Sequence, residues 1–256
     1  MDLRIFRHLW GITEPWETLF PKIRDLGYFG IEHIVPEKPE RSRFRSQLDI
    51  HGFEYIAQMI TVGKTVAEHI ESFRRTVEDA MTMKPRLINC HSGCDWFSEE
   101  DALRYFSEAL EFEAKLGISV AHETHRGRIF YNPWTTARVL KQFPELKLSC
   151  DFSHWVVASE RLLETEMEII AQCAERALHI HARVGYEEGP QVPDPRAPEY
   201  ERHVLAHERW WKMVWDAQER RGLSESTLTP EFGAPDYMHT MPYSMDPVAN
   251  LWDICN

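Results

Sequence analysis

Strand-like and helix-like segments alternate along the whole of this sequence. Seven segments with apolar residues at helical spacing are interpreted as helices, at 16–26, 41–50, 65–83, 98–116, 132–143, 160–175 and 200–221. Eight apolar or half-apolar runs are interpreted as strands: LRIFRHLWG, YFGIEHIV, FEYIAQMIT, RLINCHSG, ISVAHETH, LKLSCDFSHW, RALHIHARV and STLTPEFG. Because strands and helices alternate along the chain, we expect parallel strands joined by right-handed helical crossovers.

Eight strand–helix units within 256 residues have the size of a TIM barrel, so the predicted fold class is α/β, a (β/α)8 barrel. A doubly wound open sheet is the alternative, but the G-x-G-x-x-G motif of its dinucleotide-binding form does not follow the first strand. No linker or shift in composition divides the chain, so we expect one domain over residues 1–256. The proline-rich stretch 189–199 is interpreted as a long loop after the seventh strand, on the catalytic face of the barrel.

The composition is that of a globular protein, with 43% hydrophobic and 27% charged residues. No apolar run approaches the ~20 residues of a membrane span, and the first residues lack the apolar core of a signal peptide. Five cysteines, an odd number, favour reduced thiols, so we expect a cytoplasmic protein with no membrane partner. The net charge of −12 argues against nucleic acid as a partner, since proteins that bind phosphate backbones carry positive surfaces.

Acidic and imidazole side chains occupy the ends of four successive predicted strands. They are Glu123, Asp151, His181 and Glu231, at the ends of strands five to eight. In a TIM barrel the strand ends meet at the catalytic face, where a buried carboxylate is costly unless it is paired or binds a metal. Three carboxylates and an imidazole form a hard, oxygen-rich donor set. The sequence therefore predicts a divalent-metal site that favours Mn²⁺, Mg²⁺ or Co²⁺ and also allows Zn²⁺.

Three further histidines lie near these strand ends. His91 follows the fourth strand and His125 the fifth, and we interpret each as a substrate contact or as a group that supports the metal ligands. His179 alternates with His181, which places it deeper in the barrel as a packed, hydrogen-bonded group. The tryptophan-rich segment ERWWKMVWDAQ is interpreted as core packing. Its alternative role, a subunit interface, leaves a homo-oligomer open.

The motifs at the strand ends carry a family resemblance. In chain order they are GYFGIE at residues 27–32, HETH at 122–125, DFSH at 151–154, HIHAR at 179–183 and PEFG at 230–233. This order resembles the xylose isomerase-like TIM barrel superfamily, which contains sugar phosphate isomerases and epimerases and the AP endonuclease family 2 enzymes such as endonuclease IV. The resemblance extends over nearly the whole chain. Its motifs are specific for the superfamily and do not select a substrate.

The resemblance implies roles for individual residues. In the ketose epimerase and hydroxypyruvate isomerase branches, the first and last glutamates bind metal and shuttle protons, and here these are Glu123 and Glu231. The other two members of the strand-end set match the family's aspartate and histidine ligands. The histidine of the Asp-x-x-His motif, His154, is implied to contact a substrate oxygen, and Arg183 stands where the family often has a basic residue facing the site. The chemistry this implies is proton transfer next to a carbonyl, through an enediolate.

The chain also departs from the family in two places. Epimerases of this group often have a further arginine where residues 186–189 here read YEEG, which argues against a free ketohexose or an anionic sugar phosphate as substrate. The endonuclease branch has an Asp-x-His pair where residues 194–196 here read DPR. The expected function is therefore a divalent-metal-dependent isomerase or epimerase of a sugar or polyol. The alternatives are a metal-dependent dehydratase of a cyclic polyol of the inosose type, an endonuclease IV-like repair enzyme, and a non-catalytic ligand-binding barrel.

Overall fold

The computed structural model describes residues 1–256 and contains one closed barrel of eight parallel strands. Each strand pairs with its neighbours in chain order, and the first strand pairs with the eighth to close the barrel. The predicted (β/α)8 TIM barrel is confirmed. The strands are β1 Asp2–His8, β2 Gly30–Ile34, β3 Glu54–Ile60, β4 Leu87–His91, β5 Val120–Glu123, β6 Lys147–Cys150, β7 Ala177–His181 and β8 Glu225–Thr229.

Nine α-helices surround this barrel, and short 3₁₀ turns at Lys38–Glu40 and Pro198–Tyr200 precede two of them. The helices are α1 Trp16–Asp25, α2 Arg41–His51, α3 Val66–Met81, α4 Glu99–Leu116, α5 Pro133–Gln142, α6 Ser153–Ser159, α7 Met167–Ala174, α8 Glu201–Arg220 and α9 Leu251–Cys255. None of these helices combines the length and the apolar character that a membrane crossing requires.

Local sequence signals set several of the helix ends. The side chains of Thr65, Ser98 and Asn132 accept hydrogen bonds from the first turns of α3, α4 and α5. Gly52 and Gly117 end α2 and α4 in the left-handed region, which glycine enters without a steric penalty. The crossovers therefore begin and end close to where the sequence predicted.

The crossover between β6 and β7 differs from the sequence prediction of one helix over 160–175. The structure has α6 directly after the strand, a break at Glu160 in the left-handed region with φ 50°, and α7 beyond it. Helix α6 can start this early because Oδ1 of Asp151 accepts a hydrogen bond of 3.0 Å from the backbone N–H of Ser153. The strand-end carboxylate thus also orders the first turn of the following helix.

The hydrophobic core lies between the barrel and the helix layer. Trp155 and Trp210 are fully buried there, and burying an aromatic side chain of this kind contributes about 1.5–3 kcal/mol. Trp211 and Trp215 of α8 are partly buried and pack against the same core. The tryptophan-rich segment therefore packs into the core, as the sequence predicted. Helix α9 was not expected from the sequence.

The interior of the barrel is polar towards the carboxyl ends of the strands. Glu32, Asn89, Glu123, His179 and His181 are buried on four different strands and are linked to one another by hydrogen bonds. Buried polar groups are tolerated when they have partners of this kind. This polar layer forms the base of the candidate site.

Candidate metal centre

The barrel brings together the four residues that the sequence analysis selected at the strand ends. Glu123 and His181 are the last residues of β5 and β7, Asp151 directly follows β6, and Glu231 lies two residues beyond β8. All four are buried, and each offers a ligand atom within 4.8 Å of the others. We call these four residues the carboxylate–histidine cluster. Its geometry is that of a site that could hold a divalent cation; its role as a metal site stays a prediction.

The centre of the cluster is His181 Nδ1. It lies 2.9 Å from Oε2 of Glu231 and 3.5 Å from Oε1 of Glu123. Neither Nδ1 nor the Glu123 Oε1 atom has a hydrogen-bond partner, although both are buried. Buried nitrogen and carboxylate atoms without partners are unfavourable, and a cation between them would satisfy both. The residues present therefore fit a divalent ion.

The opposite nitrogen of the same ring contacts a carboxylate on β2. His181 Nε2 lies 2.9 Å from Oε1 of Glu32, and the other oxygen of Glu32 lies 3.2 Å from Nε2 of His179 and accepts a hydrogen bond of 2.5 Å from the Thr229 hydroxyl. His179 and His181 hold the pKa of Glu32 well below its usual value, against the effect of burial. A carboxylate behind a ligating histidine fixes its tautomer and orientation. Glu32 is a supporting residue that the sequence analysis did not select.

Electrostatics inside the cluster are dominated by opposite charges at short range. The pKa of His181 is raised well above its usual value because Glu231, Glu32 and Glu123 outweigh its burial. The pKa of Glu123 is lowered because His91 and His181 outweigh its burial. His91 Nε2 lies 2.8 Å from the Oε2 atom of Glu123. These pairs keep the carboxylates ionised, which is the state that binds a cation.

Asp151 pairs with a buried arginine. Its Oδ2 atom is 2.5 Å from Nη2 of Arg183, and Arg183 Nη1 is 3.4 Å from Oε2 of Glu231. Burial raises the pKa of Asp151 to about 6, although Arg183 acts in the opposite direction. The pKa of Arg183 is raised by Asp151 and Glu231 in spite of its burial. Arg183 therefore forms ion pairs with two of the candidate metal ligands, and its position agrees with that of a basic residue facing the site.

Two amide side chains hold the glutamates in place. Gln58 Nε2 donates a hydrogen bond of 2.9 Å to Oε1 of Glu231, and Asn89 Nδ2 donates one of 2.7 Å to Oε2 of Glu123. Gln58 and Asn89 are register partners on β3 and β4. The sequence analysis did not select either residue. The available signal was the presence of a polar amide between apolar residues in each of the two strands.

A row of three histidines lies beside the cluster. The ring centroids of His91 and His125 are 4.3 Å apart, and those of His125 and His154 are 3.8 Å apart. His154 Nε2 lies 2.6 Å from Nη2 of Arg183, so this nitrogen accepts and the neutral ring carries its proton on Nδ1. Burial lowers the pKa of both His125 and His154. His154 is fully buried behind His125, whereas His91 and His125 reach the cavity described next.

A cavity of about 530 Å³ opens beside the cluster at the carboxyl ends of the strands. This volume is typical of small-molecule sites. Its lining includes the apolar side chains of Trp10, Ile34 and Ile60 and the charged side chains of Glu231 and Arg183. The full lining is His8, Leu9, Trp10, Gly11, Ile12, Glu32, His33, Ile34, Gln58, Ile60, His91, His125, Arg128, Arg183, Glu231 and Tyr237.

Tyr237, from the segment after β8, covers part of this cavity. Its ring lies 4.9 Å from the guanidinium carbon of Arg126 and 4.9 Å from that of Arg183, and it packs edge-on against Trp10 with centroids 4.9 Å apart. Cation–π contacts of this kind contribute about 0.5–2 kcal/mol each. The segment after β8 is thereby fixed against the loops of the catalytic face.

Comparison with known proteins identifies relatives of this fold. Residues 20–209 match the family model described as the xylose isomerase-like TIM barrel. No curated protein matches the chain. Among solved structures, the probable 3-DHS dehydratase of Bacillus anthracis is 15% identical, with a TM-score of 0.62 and coverage of 91% of this chain and 94% of that one.

Two further solved structures have the same fold. A xylose isomerase-like TIM barrel protein of Mycobacterium smegmatis in complex with magnesium is 12% identical, with a TM-score of 0.63 and coverage of 91% of both chains. The 3-keto-D-glucoside 4-epimerase of E. coli is 12% identical, with a TM-score of 0.56 and coverage of 92% of this chain and 95% of that one. At these low sequence identities, the similarity to the solved structures concerns the fold.

Proposed function

The chain belongs to the xylose isomerase-like TIM barrel family, and on this premise we propose that it is a divalent-metal-dependent isomerase or epimerase of a sugar or polyol. The observation that carries the proposal is the carboxylate–histidine cluster, in which His181 Nδ1 and Glu123 Oε1 are buried without a hydrogen-bond partner and Glu231 lines a small-molecule cavity. A buried polar cluster of this kind is costly to a protein that does not bind a cation there. An epimerase and a dehydratase among proteins of the same fold agree with this class of chemistry.

The cation would be held by the four residues of the cluster, with Glu32 supporting the histidine. Three carboxylates and one imidazole favour Mn²⁺, Mg²⁺ or Co²⁺ and allow Zn²⁺. A solved protein of the same fold that contains magnesium is consistent with this preference. When bound, the ion would supply Lewis acidity next to a substrate carbonyl.

The protein's own residues would position the substrate and move the proton. Glu231 lines the cavity, and Gln58 fixes its Oε1 atom at 2.9 Å, so the carboxylate is oriented to take a proton from a substrate carbon. Arg183 lines the same wall and would stabilise negative charge that develops on a substrate oxygen. Glu123 lies behind His91 and would return the proton after a shift of that ring. His91 and His125, and His154 behind them, would contact substrate hydroxyls.

A dehydratase of a cyclic polyol is the second candidate, because the same proton removal can be followed by loss of a neighbouring hydroxide. The similarity in fold to a probable 3-DHS dehydratase supports this second candidate. We expect no nucleic-acid substrate, since the net charge is −12 and Asp194 of the long β7–α8 loop pairs with Arg196 at the surface. We expect the protein to act in the cytoplasm.

The experiment is exchange of solvent deuterium into a panel of ketoses, hydroxyketones and inososes, followed by NMR. Glu123→Gln and Glu231→Gln should each reduce exchange by at least about a hundredfold, the usual contribution of an acid–base group. Glu208→Gln, an exposed position on α8, should exchange like the wild type. Metal content is measured in parallel. Full exchange and full metal content in both active-site variants would rule out the proposal.

A further inference from the structure

Arg128 is a cation of the cavity wall that has no acidic partner. The other arginine of the wall, Arg183, pairs with Asp151 and Glu231, whereas no carboxylate lies within ion-pair distance of Arg128. The chain has 41 acidic and 29 basic residues, so an arginine left without a carboxylate next to a pocket is not explained by a shortage of acids. Its charge is available to a ligand.

The side chain of Arg128 is held in place by neutral groups. Its Nη1 atom donates hydrogen bonds to the backbone carbonyls of Thr61, at 3.1 Å, and Gly93, at 3.2 Å. Its backbone N–H donates to the carbonyl of His125 at 3.2 Å. The loops after β3, β4 and β5 therefore all fix this residue. Carbonyl partners orient a guanidinium without neutralising it, and the Nε and Nη2 atoms make no hydrogen bond within the protein.

The overall charge at the cavity also favours an anion. Two carboxylates, those of Glu32 and Glu231, and two guanidinium groups, those of Arg128 and Arg183, line the cavity. The charges of these four side chains sum to zero. Arg126, stacked on Tyr237 at the same opening, then makes the site positive. A neutral polyol gains nothing from this excess, whereas a ligand with one negative charge balances it.

We propose that the substrate of this site carries an anionic group, a carboxylate or a phosphate, which binds the free edge of Arg128 where the loops after β3, β4 and β5 meet. The proposal rests on the function proposed above and names its substrate class. The free Nε and Nη2 donors form the planar fork that recognises a carboxylate or phosphate through two parallel hydrogen bonds. Related epimerases often have an arginine in the segment that here reads YEEG, at residues 186–189. In this chain the positive charge that binds the anion would instead come from Arg128, in the β5–α5 loop.

The test uses three polyols that differ at one terminal carbon: sorbitol, gluconate and sorbitol 6-phosphate. Each is titrated calorimetrically into the Mn²⁺-loaded protein and into protein dialysed free of divalent ions. The wild type should bind one of the two anions at least about tenfold more tightly than sorbitol, which corresponds to one charge-assisted contact. A preference for gluconate assigns the carboxylate, and a preference for sorbitol 6-phosphate assigns the phosphate.

Arg128→Gln should remove this preference, so that neither anion binds more tightly than sorbitol. Arg128→Lys should restore part of it, because the charge remains and the planar fork does not. Arg75→Gln, at an exposed arginine of α3 that forms no ion pair, is the matched control and should bind like the wild type. Equal affinity of the wild type for all three ligands, no measurable binding of any, or a preference that survives in Arg128→Gln overturns the proposal.

These outcomes are separable from the test of the proposed function. Deuterium exchange that depends on Glu231, in a protein without anion preference, would remove the anion site and keep the isomerase or epimerase. Anion preference that depends on Arg128, in a protein that neither retains a divalent ion nor exchanges deuterium, would keep the anion site as a binding site and remove the enzymatic proposal.

Discussion

Glu32 determines how His181 faces the cluster. Its carboxylate lies across the barrel from β7, and its two oxygens are divided between His181 Nε2 and His179 Nε2. In the neutral ring that binds a cation, a proton on Nε2 of His181 leaves the Nδ1 lone pair directed at Glu123 and Glu231. The preferred tautomer of the candidate ligand is therefore set by a residue that would not contact the ion.

Glu32→Gln is expected to weaken binding of Mn²⁺ by about 10–100-fold, the usual cost of losing a carboxylate behind a metal-binding histidine. The amide can still accept one hydrogen bond, but it places a donor near the other histidine. Calorimetric titration with Mn²⁺ measures the change, and Glu208→Gln serves as the exposed control. An unchanged Kd for Mn²⁺ would show that Glu32 does not orient His181 for binding.

His207, on α8, gives a prediction for the pH dependence of stability. Its Nδ1 atom donates to the His203 carbonyl at 2.8 Å, and its Nε2 accepts from the backbone N–H of Gly185 at 3.2 Å. Burial lowers its pKa to about 3, so the folded protein keeps this ring neutral under mild acid. The unfolded chain takes up the proton near pH 6.5, so this histidine causes stability to fall as the pH drops from 6.5 towards 3.

His207→Gln should reduce this loss, because glutamine offers a donor and an acceptor and does not titrate. Between pH 7.5 and 5 the variant should lose about 2 kcal/mol less unfolding free energy than the wild type. Urea denaturation at the two pH values measures the difference. Equal losses in the two proteins would mean that His207 is protonated in the folded state.

At the scale of single residues, the sequence predicted the groups at the strand ends and missed those that support them. Glu123, Asp151, His181 and Glu231 stand at recognisable positions because a strand end can be read from local pattern. Glu32 on β2 contacts His181 on β7, and these two strands are not neighbours in the barrel. A contact of this kind cannot be predicted from a local sequence pattern. Arg128 was missed for a related reason, since its charge is significant only because no acid happens to lie near it.

At the scale of elements, the cap of α4 illustrates how local signals fix the crossovers. Ser98 Oγ accepts from the backbone N–H of Asp101 at 3.1 Å, which satisfies one of the free donors of the first turn. Ser98→Ala should lower the free energy of unfolding by about 1 kcal/mol, as measured by urea denaturation. Ser107→Ala, at an exposed position within the same helix, should leave stability unchanged or slightly higher. Equal effects at the two serines would argue against a cap at Ser98.

Helix boundaries were predicted well where caps are local and poorly where tertiary contacts determine them. The periodicity of 160–175 predicted one helix, but the structure starts α6 at Ser153 through the Asp151 carboxylate. That carboxylate is held by Arg183, which lies two residues beyond β7, in a contact between distant parts of the chain. Helix α9 has five residues, too few for a recognisable helical period, and Tyr28 holds it by donating a hydrogen bond to the Cys255 carbonyl.

At the scale of the whole molecule, a bound divalent ion would add to the stability of the barrel. Four strands, β5 to β8, supply the cluster, and the unfolded chain does not hold these residues together. Binding to the folded state alone stabilises it by about 2.7 kcal/mol when the ion is at a hundred times its Kd. For a chain of this size that corresponds to a rise in Tm of about 5–10 °C.

Removal of divalent ions by chelation and dialysis should therefore lower the Tm, and addition of Mn²⁺ or Mg²⁺ should restore it in a concentration-dependent manner. Differential scanning fluorimetry measures both changes. A double variant with Glu123→Gln and Glu231→Gln is the control and should not respond to either ion. A wild-type Tm that is independent of all these ions would contradict the assignment of the cluster as a metal site.

Closure of the barrel through β1 and β8 has a consequence for the order of events during synthesis. Leu3 pairs with Ser226, so one edge of β1 stays unpaired until β8, the last strand, has been made. At roughly 5–20 residues per second, the ribosome takes on the order of 10 to 50 s to make the chain between these two strands. The cluster depends on Glu231, which is made later still, so the nascent chain cannot capture a metal ion while the barrel is incomplete. Loading with metal would be a post-translational step, and the unpaired strand edge is the surface that chaperones would have to shield until then.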